Sequence, residues 1–183
     1  VNLLDDSVTG SDEGRAMAQL IHDIAPGADL AFHTAFGGIA AFAQGIIDLA
    51  NAGSDIIVDD VIYFAEPMFQ DGVIAQAVDA VAAQGVTYFS SAGNSGDNSF
   101  EDSFRASGVT GGFGELHDWD PGAGVDTALS VTIGAGQSIL FVLNWDEPFG
   151  ASASDIDIAL TSGGGLETDG SVVASSTEFN IGA

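Results

Sequence analysis

Residues 86–96 read V-T-Y-F-S-S-A-G-N-S-G, a β-branched and aromatic run that breaks off in small residues and delivers Asn94 among glycines. Val, Thr, Tyr and Phe suit a pleated strand, and glycine lets backbone approach a ligand closely. An amide side chain in such a turn can be aimed at a developing negative charge. What precedes the strand sets the architecture. Residues 72–83 carry Ile74, Ala77, Val78 and Val81 at helical spacing and stop before Gly85, so the strand follows a helix.

The same alternation extends back to the start of the chain. Residues 55–64 contain I-I-V, apolar enough for a strand covered on both faces. Before it, residues 38–51 place Ile39, Phe42, Ile46, Ile47 and Leu49 largely on one side of a helix that Gly53 stops. Residues 28–35 read as a strand. Residues 13–24 read as a helix bearing Met17, Leu20, Ile21 and Ile24, capped by Ser11 or Asp12 and ended by Pro26 and Gly27. A short apolar strand over residues 1–4 opens the chain. Strands separated by helices of this length predict an α/β fold with a parallel sheet and right-handed crossovers. Ligands bind beyond the carboxyl ends of such strands, which draws Asp59, Asp60 and Asn94 to one edge.

Beyond Asn94 the helical period disappears. Residues 95–114 are polar and glycine-rich, and short alternating segments follow at 128–133, 138–145, 155–161 and 171–175. Their spacing predicts a small antiparallel β-sandwich, with the boundary between the halves near residues 97–112.

Composition narrows the function. The 183 residues suffice for one large domain or two small ones, and 27 acidic residues face two arginines, with no lysine, for a formal charge of -25. Phosphate binding needs clustered Lys and Arg, so nucleic acid is excluded as a partner. Such acidity suits a secreted protein, a high-salt habitat or calcium binding, and most of these carboxylates read as a solvated face. Arg15 and Arg105 are expected to pair with nearby carboxylates. Cysteine is absent, which removes disulfides and thiolate metal sites. No apolar run approaches the ~20 residues of a membrane span and no signal segment opens the chain, so it reads as a soluble, internal piece.

Three strings, D-E-G-R-A-M-A-Q-L-I-H-D-I-A-P-G-A from Asp12, G-S-D-I-I-V-D-D-V from Gly53 and G-V-T-Y-F-S-S-A-G-N from Gly85, resemble in order and spacing the central part of subtilisin-like serine peptidases. The likeness covers residues 1–96. In that family a His-Gly pair opens a helix leading to an Ala-Pro turn, and an A-G-N turn supplies the oxyanion-hole Asn. Asn94 matches that Asn. Glu13, followed by Gly14, stands where the family has His. The related sedolisins use Glu as the base there, but they place an Asp where this chain has Met17 and an Asp at the oxyanion position. The chain is thus similar to a hybrid subgroup of the superfamily.

The resemblance implies a peptidase in which Glu13 is the general base and Asn94 the oxyanion donor. A carboxylate base needs a partner that orients and tunes it. Asp60 is the candidate within this chain, since the family strand puts it at the substrate cleft, while Asp59 would point to the opposite face. The competing partner is the family's triad Asp, upstream of residue 1. The family's nucleophile lies in a G-T-S-x-x-x-P string that does not occur here, and Ser90, Ser91 and Ser95 do not match it. The expectation is therefore a fragment of a secreted endopeptidase, inactive alone: residues 1–100 a partial subtilisin-like domain, residues 108–183 an accessory β-sandwich inserted into it. A peptide or protein is the implied substrate. The alternative is a non-catalytic surface or binding module on the same scaffold.

No cofactor is required by this reading. Asp118, Asp120 and Asp126, or Asp155 and Asp157, are oxygen-rich enough to hold calcium, but without a fixed ligand spacing they read as turn aspartates. Trp119 and Trp145 suit a glycan or a core, the core being the commoner use of aromatics on alternating strands. His22 reads as a packing residue, and His33 and His117 are too isolated for a metal site.

Overall fold

The computed structural model describes residues 1–96, 98–166 and 170–177. The chain divides into two compact units, Val1–Gly96 and Asp97–Ala183. The fold is mixed α/β, with short parallel β-α-β units first and small antiparallel hairpins after them.

In the first unit, β1 (Asn2–Asp5), α1 (Glu13–Ile24), β2 (Ala31–His33), α2 (Ile39–Asn51), β3 (Ile56–Asp59), α3 (Val73–Ala82) and β4 (Thr87–Ser90) alternate without interruption. β1 pairs in parallel with β2, and β3 in parallel with β4. The second ladder is regular, from Ile56 opposite Thr87 to Asp59 opposite Ser90, whereas the first slips between Leu3 and Asp5.

Glycine sets where α2 and α3 stop. After α2, the Gly53 N–H donates to Ala50 O at 2.9 Å and the Ser54 N–H to Leu49 O at 3.2 Å, with Gly53 at φ 93°. After α3 the same pair of bonds recurs, from Gly85 to Ala82 and from Val86 to Val81, with Gly85 again at φ 93°. Both are Schellman closures, which satisfy the last carbonyls and turn the chain straight into the next strand. At the front of α1, Ser11 Oγ accepts the Glu13 N–H at 3.4 Å, while Asp12 pairs with Arg15 at 2.5 Å. α3 is capped from a distance, because Glu66 Oε1 accepts the Ile74 N–H at 2.9 Å.

The core lies between α2, α3 and the second ladder. Phe42, Ile46, Ile57, Ala77 and Val81 are buried together, with Tyr63, Ile74, Val86 and Tyr88 packed on them. Val81 is 0% and Ile46 2% exposed, and each such aliphatic side chain contributes about 1.5–3 kcal/mol on burial. α2 touches both β2 and β3. α1 buries none of its residues; its apolar stripe stays largely open, Ile24 and Leu20 included.

Among its described residues the second unit holds two hairpins, β5 (Ala106–Gly111) with β6 (Gly114–His117) and β7 (Ile158–Ser162) with β8 (Ser171–Ser176). The segments expected as strands at 128–133 and 138–145 carry no regular secondary structure and pair with no strand among the described residues. Alternation makes a segment able to be a strand, and a ladder partner makes it one. Here Leu129, Val131 and the run Ile139 to Leu143 have none among the described residues and stay exposed. Conversely, β5 forms within the stretch 95–114 that reads as a polar, glycine-rich connection, and β6 starts at its end.

Candidate functional site

A cleft of ≈ 1140 Å³ opens in the first unit, and both Glu13 and Asp60 line it. Glu13 is the first residue of α1 and is exposed. Gly14 brings α1 close to β2: a Cβ there would come within 2.5 Å of the Phe32 ring, so any larger residue requires that ring to shift. On the other face of β2, His33 sits over Gly45 of α2 equally closely. Its Nδ1 donates to Thr34 O at 2.9 Å, leaving Nε2 4.0 Å from Asp48.

Asp60 follows β3 and is exposed. Its neighbour Asp59, whose peptide ends the strand, is the better connected carboxylate. Tyr88 OH donates to Asp59 Oδ2 at 2.5 Å, Ser90 Oγ donates to Oδ1 at 2.9 Å, and the Val61 N–H reaches Oδ1 at 3.4 Å. Burial, then the Asp59 carboxylate, pushes the Tyr88 phenol well above its ordinary range. The sequence named Asp59 and Ser90 separately, but not the network that joins them with Tyr88. Its signal is the register: Ile57 opposite Tyr88 and Asp59 opposite Ser90 put four side chains on one face of the ladder.

Asn94 stands on an exposed bend after β4, behind Gly93 at φ 73°. Thus Glu13 and Asp60 share one cleft, without a hydrogen bond between their carboxyl groups, and Asn94 is not among the residues lining it. Ser90 is engaged by Asp59, and the Ser91 N–H by Asp59 O at 3.2 Å.

The second unit uses its polar residues to fix its own loops. Phe100, Phe104, His117 and Trp119 form an aromatic nest, with the His117 and Trp119 rings 4.7 Å apart and edge-on. His117 Nδ1 accepts the Arg105 N–H at 3.0 Å, and burial, then the Arg105 charge, holds the imidazole below its ordinary range. Arg105 pairs with Asp102. Asp118 accepts the backbone N–H groups of Asp126 and Asp120, at 2.9 and 3.0 Å, and these bonds hold its carboxyl below the usual carboxylate range. Trp145 Nε1 donates to Ser152 Oγ at 3.2 Å and to Glu147 Oε2 at 3.3 Å. Among the described residues, no three His, Asp or Glu side chains gather as metal ligands, and no helix is long and apolar enough to cross a membrane.

Comparison with protein-family models, curated proteins and solved structures found no match for this chain.

Proposed function

We propose that the first unit is the central part of a subtilisin-like serine endopeptidase scaffold, secreted and hydrolysing peptide bonds, with Glu13 as general base. The finer architecture in this reading is a partial subtilisin-like parallel sheet over residues 1–100 and an accessory antiparallel sandwich over residues 108–183. One observation carries it: the helix-start Glu13 and the strand-end Asp60 line a single cleft that runs along β2 and β3, and both fall toward the carboxyl ends of parallel strands, where such folds do their chemistry. Asp60 is then the group that orients Glu13, and Asn94, on the turn after β4, is the oxyanion donor.

In the full-length polypeptide carrying this chain, peptide hydrolysis is expected to peak below neutral pH and to be abolished by a serine-directed fluorophosphonate. Glu13→Gln should remove it, and wild-type activity in that variant would refute the base assignment. Asn94→Ala should lower turnover by ~100-fold or more. An unchanged turnover number would take Asn94 out of the mechanism.

A non-catalytic binding module is the second reading. It is favoured by the absence of any hydroxyl hydrogen-bonded to Glu13 among the described residues, and by Asn94 standing apart from the cleft. Full-length protein that neither cleaves peptides nor takes up the fluorophosphonate would establish it over the first.

A further inference from the structure

At the open end of the β5–β6 hairpin, both main-chain groups of Arg105 are tied to the opposite strand. The Asp118 N–H donates to Arg105 O at 2.8 Å, and the Arg105 N–H donates to His117 Nδ1 at 3.0 Å. The first bond carries the hairpin one step past Ala106 opposite His117. The second uses a ring nitrogen where a ladder would use a carbonyl. A peptide N–H can only donate, so His117 Nδ1 presents a lone pair and the ring proton sits on Nε2. A proton added at Nδ1 would meet the Arg105 N–H head on.

The same ring holds the segment that leads into β5. The Phe104 and Phe100 rings lie 5.4 and 6.5 Å from it, and Trp119 packs edge-on at 4.7 Å. Arg105 closes back on Asp102, whose Oδ1 accepts the Ser103 N–H at 2.8 Å. Phe100 and Phe104 are 51% and 56% exposed, and neither belongs to the buried core. The segment can therefore leave the hairpin without breaking that core.

Charged groups face the imidazole from both strands: Arg105 and Asp102 from the segment before β5, Asp118 from the end of β6. The two carboxylates favour an imidazolium, but burial and the Arg105 charge oppose it and prevail. Arg105 also has Nε and Nη2 buried without a hydrogen-bond partner among the described residues. A second cation beside such a guanidinium is poorly tolerated.

We propose that His117 is an acid-operated latch: the neutral ring holds residues 100–105 on the β5–β6 hairpin, and protonation at Nδ1 releases them and uncovers Phe100, Phe104 and Trp119. The direction follows from the folded ring being a weaker base than a free one. In the released segment His117 titrates near ~6.5. The latch is thus at full strength above that pH and weakens as the pH falls from there toward the folded value. Backbone N–H groups hold the Asp102 and Asp118 carboxyls below the usual carboxylate range, so both stay charged across this window. The inference does not depend on peptidase chemistry.

The test uses isotopically labelled full chain between pH 7.5 and 5. Ring nitrogen shifts at the upper pH should place the His117 proton on Nε2. Amide protection at Arg105, corrected for the intrinsic pH dependence of exchange, should fall at least about tenfold across the range, since one proton is worth up to about tenfold per pH unit. His117→Asn puts an amide oxygen that does not titrate near the place of Nδ1, and its protection should stay flat. His117→Ala should leave the Arg105 amide unprotected throughout. A proton on Nδ1 at pH 7.5, undiminished protection in the wild type at pH 5, or the same acid loss in His117→Asn overturns the proposal. The first two readings come from the wild-type chain and decide the matter even where a variant fails to fold.

Discussion

Raising the pH above 10 is expected to destabilise the first unit through Tyr88, and Tyr88→Phe is expected to remove that sensitivity. The Tyr88 hydroxyl donates to Asp59 at 2.5 Å, and burial and this carboxylate keep it protonated in the folded chain. In the unfolded chain tyrosine ionises near ~10. Above that pH the unfolded state binds fewer protons, so the stabilisation is complete below ~10 and is lost progressively as the pH climbs toward the folded value. One proton corresponds to at most about 1.4 kcal/mol per pH unit. Tyr88 is only half-buried, so solvent screening reduces this to roughly half, or about 1 kcal/mol between pH 10 and 11.5.

At neutral pH the substitution costs about 1–2 kcal/mol, the low end for a hydrogen bond to a charged acceptor, because Asp59 keeps Ser90 and the Val61 N–H. The wild-type and Tyr88→Phe stability curves should therefore converge as the pH rises. Urea unfolding followed by the far-UV helix signal reads this out in the first unit, since α1, α2 and α3 all lie there. The window is clean: the sequence has no lysine or cysteine, and Tyr63 and the amino terminus are common to both proteins. Parallel curves from pH 8 to 11.5 would refute the coupling of Tyr88 to Asp59.

Gly53→Ala and Gly85→Ala should each cost about 1–2 kcal/mol, because both closures need a left-handed residue. Gly27→Ala, where a Cβ meets nothing within 4 Å, should stay within about 0.5 kcal/mol, and thermal midpoints of the three variants decide it. In the second unit, Ser152 and then Ser154 hold the Glu147 carboxyl down at about 2. The loop it ties is thus stabilised above the ordinary carboxylate range and released as the pH falls toward about 2. Trp145 fluorescence should report that release, and Glu147→Gln should show the acid-form emission already at neutral pH.

Much of the first unit was legible because its boundaries are punctuated chemically. Pro26 and Gly27, Gly53 and Gly85 stop three helices whose apolar residues recur at one period, and the strands between them are short, β-branched runs. The second unit resisted for the opposite reason. Alternation at 128–133 and 138–145 advertises a strand without naming its partner, and ladder formation is a property of pairs. The site divides in the same way. Glu13 and Asp60 were drawn together by the family resemblance, whereas the Asp59 network needed the register of β3 against β4. The face expected to be idle carries the stronger hydrogen bonds, because Tyr88 lies two residues before Ser90 and both reach back to one carboxylate.

α2 runs beneath two ladders that are not bonded to each other, and it is the element that touches a strand of each. In mechanical terms it is a strut between two half-sheets. Gly45 sets its standoff from β2 by admitting His33, and Ile46 keys it into the layer under β3. The gap between the half-sheets is thereby a property of one helix face. A change of side-chain volume along that face would open or narrow the gap without altering either ladder, so its width can drift under mutation while both half-sheets keep their register.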